Sequence, residues 1–270
     1  MVSLKRTLMS DLASAIDAIK HINPKLSKSN LHTPLRYSGV LLSIGKTTHI
    51  CHQNIPLKKI HHNETITYGS AIPLKLNNIW PHPTGEIASR LVTVLQQQSA
   101  PSLWASIRQT ENHWIEFVIS EGGMAKWRQQ LLQNLPLQSA HQPAPVITAT
   151  QLWSLQAGYE LCCRWQRQHC ETNQHEQLET IALRPFTITS LPLSLLIHGL
   201  LDICDRWDEA QPKQLLHQAN QLVKAIEQCT SSTPPTAANA AIVFHWLKPT
   251  QHLLRQLLQE RLRYQCPEEF

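Results

Sequence analysis

The sequence predicts an α+β domain over residues 1–135, followed by an all-α helical bundle over residues 147–270. In the first part, apolar residues change from helical spacing to strand-like alternation and back. Residues 136–146 hold three prolines and few large apolar residues, which is typical of a linker. After this linker the apolar residues keep helical spacing. A chain of 270 residues is long enough for two domains that each bury a core.

An amphipathic helix is the first predicted element, and Asn23-Pro24 ends it. Its apolar face holds Leu4, Leu8, Leu12, Ile16 and Ile19. Tyr37–Ile44 is typical of a buried strand, and the alternating residues at 48–54 and 64–68 predict two shorter strands.

A second helix and a further strand follow. Pro81 and Pro83 break the chain before Thr84, which can cap a helix. The apolar face of that helix holds Ile87, Leu91, Val94 and Leu95. Residues 114–119 predict the next strand, and the turn at residues 120–123 leads into another helix. Its apolar face holds Met124, Trp127, Leu131 and Leu135. Because helices and strands do not alternate regularly, the domain is predicted as α+β.

The second half predicts helices alone. One apolar stripe holds Leu152, Leu155, Tyr159 and Cys162, and another holds Leu215, Ala219, Leu222 and Ile226. Pro212 stands at a favourable first-turn position of the latter helix. Pro249 is expected to kink or divide the last helix.

Composition indicates a soluble, cytoplasmic protein. Hydrophobic residues make up 42% of the chain, and the net charge of +5 is compatible with an RNA partner. The seven cysteines are odd in number and scattered, which favours a reducing compartment. No window approaches 18 apolar residues, so we expect no membrane-spanning segment.

Motifs for nucleotide binding and covalent catalysis are weak or absent. Five strand-like residues separate Gly39 from Gly45-Lys46, where a phosphate-binding loop has four between its glycines. No Gly-x-Ser-x-Gly occurs, and no cysteine has a recognisable nucleophile signature. We therefore expect no cofactor and no catalytic residue.

Five residues of types that bind zinc lie close together in the sequence, but their spacing does not favour a zinc site. No Cys-x-x-Cys pair exists, and adjacent cysteines on a helix point in different directions. The residues are Cys162, Cys163, His169, Cys170 and His175. Buried structural cysteines are the preferred interpretation.

Two segments share motifs with one enzyme family. Residues 67–95 contain Tyr68 in a strand, then Ser70-Ala-Ile-Pro-Leu-Lys-Leu, then Pro83-Thr-Gly-Glu-Ile-Ala, and residues 115–120 read Ile-Glu-Phe-Val-Ile-Ser. The first segment resembles the N-terminal additional domain of arginyl-tRNA synthetases. The segment from Val146 onward, with its closing Pro267-Glu268, resembles their DALR-type anticodon-binding domain.

The resemblance lacks the synthetase catalytic domain, whose place is taken by the short linker. It covers about two thirds of the chain, and neither a His-x-Gly-His nor a Lys-Met-Ser-Lys sequence occurs. It therefore implies a non-catalytic protein. In the family, the first domain contacts the D-loop corner of tRNA and the helical domain binds the anticodon stem and loop.

Candidate RNA contacts follow from the resemblance and from basic side chains on the predicted helices. In the first domain the resemblance implies Tyr68, Ser70 and Lys75. Gly69 and Ala71 replace two amide residues of the family pattern, which we expect to weaken D-loop recognition. The candidates on the helices are Arg164, Trp165, Arg167, Lys213, His217, Lys224, Arg255, Arg261 and Arg263. Phosphate contacts together with aromatic stacking hold single-stranded loops in this way. An ordinary solvated helix face is the alternative interpretation.

Three functions stay open at this level. The leading hypothesis is binding of tRNA or a related structured RNA. The second is a repurposed scaffold that binds a protein, such as a synthetase or a metabolic regulator, which the eight tryptophans favour. The third is an accessory subunit that complements a separate catalytic synthetase.

Overall fold

The structure is a computed structural model, and it describes residues 3–22, 55–61, 65–98, 103–133, 147–170, 190–231, 237–264 and 266. The predicted strands at 37–44 and 48–54, the linker and Pro267-Glu268 lie outside these residues. Two compact units make up the chain. We call Lys5–Ser120 the N-terminal unit, and Met1–Leu4 with Glu121–Phe270 the helical unit. The described residues are mostly helical, with one four-stranded antiparallel sheet, which agrees with a helix-rich α+β fold.

Helix α1 (Leu4–Ile22) belongs to the N-terminal unit from Lys5 onward. Leu8, Leu12 and Ile16 are fully buried, as their four-residue spacing predicts for one helical face. Burial also raises the pKa of the Asp11 carboxyl. The predicted N-terminal amphipathic helix is therefore confirmed.

The sheet consists of β1 (Leu57–His61), β2 (Ile66–Ser70), β3 (Trp104–Gln109) and β4 (Ile115–Ile119), in the order β1-β2-β4-β3. All neighbouring strands are antiparallel. Each residue of β2 is buried. Strands β1 and β4 pair with it on its two sides. On β4, Ile115, Phe117 and Ile119 are buried alternately with half-buried residues. This period of two confirms the strand that the sequence predicts there.

Two helices accompany the sheet in this unit. Helix α2 (Ile72–Asn77) follows β2 directly, and α3 (Thr84–Gln98) contacts β3. The Gln96 amide donates a hydrogen bond of 3.0 Å to the carbonyl of Ile107 in β3. Thr84 is the first residue of α3, so the predicted start of this helix is confirmed to within one residue.

The helical unit contains α4 (Glu121–Gln133), α5 (Ala149–Cys170), α6 (Leu191–Arg206), α7 (Pro212–Ser231) and α8 (Ala237–Gln256). Helix α7 contacts α5 and α6, and α8 contacts the same two helices. These four helices therefore enclose a common core, which includes the predicted stripes of α5 and α7. Helix α7 begins at Pro212, as its first-turn preference predicts.

Helix α4 lies with the helical unit, whereas the sequence boundary at residue 135 placed it in the first domain. The reason is a contact between residues far apart in the chain. The Trp127 ring packs against the Trp246 ring of α8, with 6.3 Å between the ring centroids, and both side chains are buried. Burial of two indoles outweighs proximity in sequence.

Helix α8 continues through Pro249, so this proline does not divide the last helix, which was one of the two predicted outcomes. Next to it, the Thr250 hydroxyl donates to the Trp246 carbonyl at 2.6 Å. The irregularity comes later, in a π-helical turn at Leu257–Arg261. There the Arg261 guanidinium donates to the Ala210 carbonyl at 3.2 Å and lies over the Trp207 ring. No helix among the described residues is long and apolar enough to cross a membrane.

Candidate nucleic-acid interface

Two of the three candidate RNA contacts in the N-terminal unit are buried. Tyr68 is 1% exposed and Ser70 is 0% exposed. The Ser70 hydroxyl donates to the Pro56 carbonyl at 2.8 Å and accepts from the Ile72 amide at 3.3 Å, which joins β2 to the start of α2. A buried side chain presents no atom to a ligand, so in this structure both residues support the fold and are not RNA contacts. Lys75 is exposed on α2.

On α5 and α7, five candidates are exposed and one is half-buried. The exposed residues are Arg164, Arg167, Lys213, His217 and Lys224, and the half-buried one is Trp165. The Arg164 guanidinium lies 3.7 Å from the Glu160 carboxylate on the same helix. On α7, Lys213, His217 and Lys224 are spaced by four and seven residues, so they share one face.

The candidates near the C-terminus differ from one another. Arg255 and Arg263 are exposed, whereas Arg261 is half-buried. Since the Arg261 guanidinium bonds to the Ala210 carbonyl and covers the Trp207 ring, it holds the π-helical turn against the end of α6. These contacts give Arg261 a structural role in the helical unit.

A cleft of about 290 Å³ opens between α4 and α8. We call it the α8 cleft. Its lining residues are Leu132, Lys248, Gln251, His252 and Arg255. Four of the five come from α8, where spacings of three and four residues place them on one face.

The α8 cleft is basic and has few acidic neighbours. Helices α4 and α8 carry four cationic side chains and one carboxylate, Glu121. The cations are Lys126, Arg128, Lys248 and Arg255. Within the described residues, neither Lys248 nor Arg255 has a carboxylate at ion-pair distance. Unpaired cations around a concavity raise its positive potential and attract anions.

Arg128 stands beside the cleft on α4. Its guanidinium lies over the Trp246 ring, 5.7 Å from the centroid. Burial lowers the pKa of Arg128, but an arginine stays protonated at neutral pH. This charge adds to the field of the cleft and is held in place by the ring.

Two hydrogen bonds tie the cleft wall to α5. The Gln251 amide donates to the Cys163 thiol at 2.9 Å and accepts from the Gln166 amide at 2.8 Å. These bonds join the segments of α5 and α8 that carry Arg167 and Arg255. The structure therefore places two of the sequence-predicted cations on helices that contact each other.

His252 has a hydrogen-bond partner inside its own helix. The Gln256 amide nitrogen lies 3.1 Å from the His252 Nε2 atom and donates to it when Nε2 carries no proton. In that tautomer the proton sits on Nδ1, which remains a donor. A donor beside two cations suits an anionic ligand.

Two buried thiols of the helical unit, Cys162 and Cys229, are poor nucleophiles. Burial raises the pKa of Cys229 to about 12. Burial also raises the pKa of Cys162, and the neighbouring Cys163 adds to this effect. Thiols in such surroundings stay protonated and inert. No group of three or more potential metal ligands converges among the described side chains, which do not include those of His169, Cys170 and His175.

Sequence reasoning missed Arg128, Lys248 and His252 at or beside the α8 cleft, and it also missed the exposed Trp153 of α5. Lys248, His252 and Arg255 have helical spacing in the sequence. A proline that kinks or divides a helix disturbs this spacing, so the sequence alone did not indicate a shared face. Trp153 lies outside the apolar stripe of α5. This position in the sequence could have indicated that its side chain is exposed.

Comparison with protein-family models, with curated proteins and with solved structures finds no match for this chain.

Proposed function

We propose that this chain is a non-catalytic, arginyl-tRNA-synthetase-like protein that binds tRNA or a related structured RNA through its helical unit. The α8 cleft carries the proposal, because Lys248 and Arg255 line it without carboxylate partners among the described residues. RNA is the polyanion that the sequence resemblance implies. An anticodon-binding-like role for helices α5–α8 is part of the proposal.

The proposed contacts are chiefly with phosphates. Lys248 and Arg255 are seven residues apart, about 10 Å along the helix axis, so one strand can meet both side chains. Arg128 and His252 add charge and a donor beside them. Such contacts position an RNA without reading its sequence. The exposed cations of α7 extend the positive surface of the unit.

The N-terminal unit has a smaller part in the proposal than the resemblance implied. Burial of Tyr68 and Ser70 leaves Lys75 as the exposed candidate of that unit. We assign no catalysis and no cofactor, because the synthetase ATP-binding signatures are absent from the sequence. Free buried thiols are consistent with the proposed cytoplasmic location.

A mobility-shift titration with bulk tRNA tests the proposal. At about 50 mM salt the full chain is expected to shift tRNA at micromolar concentration, and the affinity is expected to fall steeply toward about 200 mM. Phosphate contacts release counterions, so the logarithm of the association constant declines linearly with the logarithm of salt concentration. Absence of any shift at the lower salt concentration rules out the proposed function.

A scaffold that binds a protein is the second candidate, and two exposed leucines favour it. Leu191 and Leu195 lie one turn apart on α6 and are 65% and 45% exposed. An apolar pair of this kind is typical of helix-mediated protein contacts. Co-purification of a stoichiometric protein, unaffected by nuclease, would favour a synthetase or a metabolic regulator as partner.

A further inference from the structure

Trp153 is the most exposed large apolar side chain that the structure describes. It stands in the second turn of α5 and is 71% exposed. In the described part of the chain it has no hydrogen bond or ring contact. Tryptophan is seldom left in water to this extent, so its position calls for an explanation beyond folding.

The outer face of α5 places Trp153 in line with cations. A helix turns by about 100° per residue, so residues 153, 160, 164 and 167 fall within about 40° of one direction. The buried residues Leu155, Tyr159 and Cys162 lie on the opposite face. Trp153 therefore shares a solvent-exposed stripe with Arg164 and Arg167.

The charges of this stripe favour an anion over an apolar partner. Glu160 is its acidic member, and the Glu160 carboxylate lies 3.7 Å from the Arg164 guanidinium. Both side chains of this pair are 58% exposed, so the guanidinium still faces water. Arg164 lies about 16 Å along the axis from Trp153, which leaves room for a few nucleotides between them.

We propose that Trp153 stacks on an unpaired base of the bound RNA while phosphates of the same strand contact Arg164 and Arg167. The proposal rests on the proposed function and narrows its ligand to an RNA with an exposed single-stranded segment. The bases of a duplex hide their faces, whereas unpaired bases stack on aromatic side chains. Stacking tolerates any base, so Trp153 supplies affinity more than sequence preference.

The test compares Trp153→Ala and Trp153→Phe with the wild-type chain, using fluorescence anisotropy of labelled tRNA over a range of salt concentrations. Trp153→Ala is expected to weaken binding about five- to a hundredfold. The salt dependence should stay unchanged, because no phosphate contact is lost. Trp153→Phe should recover most of the affinity. Leu191→Ala removes a comparably exposed apolar side chain on α6 and should leave the affinity unchanged.

Competition identifies the stacked element. A short oligoadenylate should compete less well for Trp153→Ala than for the wild type, while an RNA duplex of the same length should compete equally for both. Thermal unfolding of the variants should match the wild type, since the removed ring is exposed.

The inference is overturned, and the proposed function kept, if tRNA binds the wild type and Trp153→Ala equally. Equal losses in the alanine and phenylalanine variants also overturn it, because a stacking contact survives in phenylalanine. Loss of a nuclease-insensitive protein partner in Trp153→Ala, with unchanged tRNA affinity, assigns the ring to a protein contact. If the wild type fails to bind tRNA, both proposals fall.

Discussion

At Gly69 the packing of two neighbouring side chains leaves no room for a larger residue. A Cβ atom there would lie 2.8 Å from the Ile60 Cδ1 atom and 3.1 Å from the Trp114 Cε3 atom. Those two side chains cover β2 at this position. The resemblance implies that glycine here weakens D-loop recognition, and the packing gives a separate steric reason for a small residue.

Gly69→Gln is expected to destabilise the chain by about 1–3 kcal/mol, because a long side chain overfills a packed site. Urea unfolding followed by circular dichroism measures the effect. Ala71→Asn provides the matched control, since it restores the other amide of the pattern at the half-buried residue that precedes α2. A stable Gly69→Gln variant with higher tRNA affinity would contradict this account of the site.

Lys248 and Arg255, which have no carboxylate partner among the residues that the structure describes, give a second residue-level prediction. Lys248→Gln combined with Arg255→Gln should weaken tRNA binding and reduce the slope of the salt dependence by about 1.4–1.8, the share of two phosphate contacts. Lys58→Gln with Arg206→Gln removes the same charge from exposed positions outside the cleft. Similar salt slopes in the two double variants would place the RNA elsewhere.

Among the helices, α7 packs closely against its neighbour at a glycine of α5. A Cβ atom on Gly158 would lie 2.6 Å from the Val223 Cγ2 atom of α7. Valine is branched at Cβ and cannot swing aside inside a helix. Because Gly158 has no side chain, α5 and α7 can approach each other closely. Their close packing positions the exposed faces of both helices.

Gly158→Ala is expected to destabilise the helical unit. Overpacking of a core site typically costs about 1–3 kcal/mol of stability, whereas alanine in place of glycine inside a helix gains about 1 kcal/mol at most. Thermal or urea unfolding gives the sign. Adding Val223→Ala should restore part of the loss in a double-mutant cycle. Gly199→Ala, whose Cβ atom would meet the flexible end of Leu222 at 3.1 Å, should cost less. A stabilised Gly158→Ala variant would show that the helices separate readily.

On the scale of the whole molecule, local patterns predicted the elements better than their assembly. Four-residue spacing located α1, and alternating burial agrees with the strand predicted at β4. Helix α4 belongs to the helical unit because Trp127 contacts Trp246. These residues are far apart in sequence, so the periodicity of apolar residues does not predict their contact. Tyr68 is buried in the structure, and the sequence pattern around it did not indicate this burial.

The candidate site was predicted in part, and the reason for the rest is physical. Arg164, Arg167 and Arg255 were identified from exposed helical positions, and the structure keeps them exposed. The α8 cleft could not be anticipated, because a proline inside a helix is expected to kink or divide it, so a shared face for Lys248 and His252 did not follow from the sequence. In the structure α8 continues through Pro249 and carries both residues on one face.

The most direct test of tRNA binding is to identify the RNA that co-purifies with the full chain. The chain is purified from its native cells at about 50 mM salt, where phosphate contacts are strongest, and the associated nucleic acid is sequenced. If the chain binds tRNA, we expect tRNA to be enriched over its share of total cellular RNA. The enrichment should be lost in the Lys248→Gln/Arg255→Gln variant and kept in the Lys58→Gln/Arg206→Gln variant. Recovery of the chain free of RNA, or with RNA of unchanged cellular composition, would contradict it.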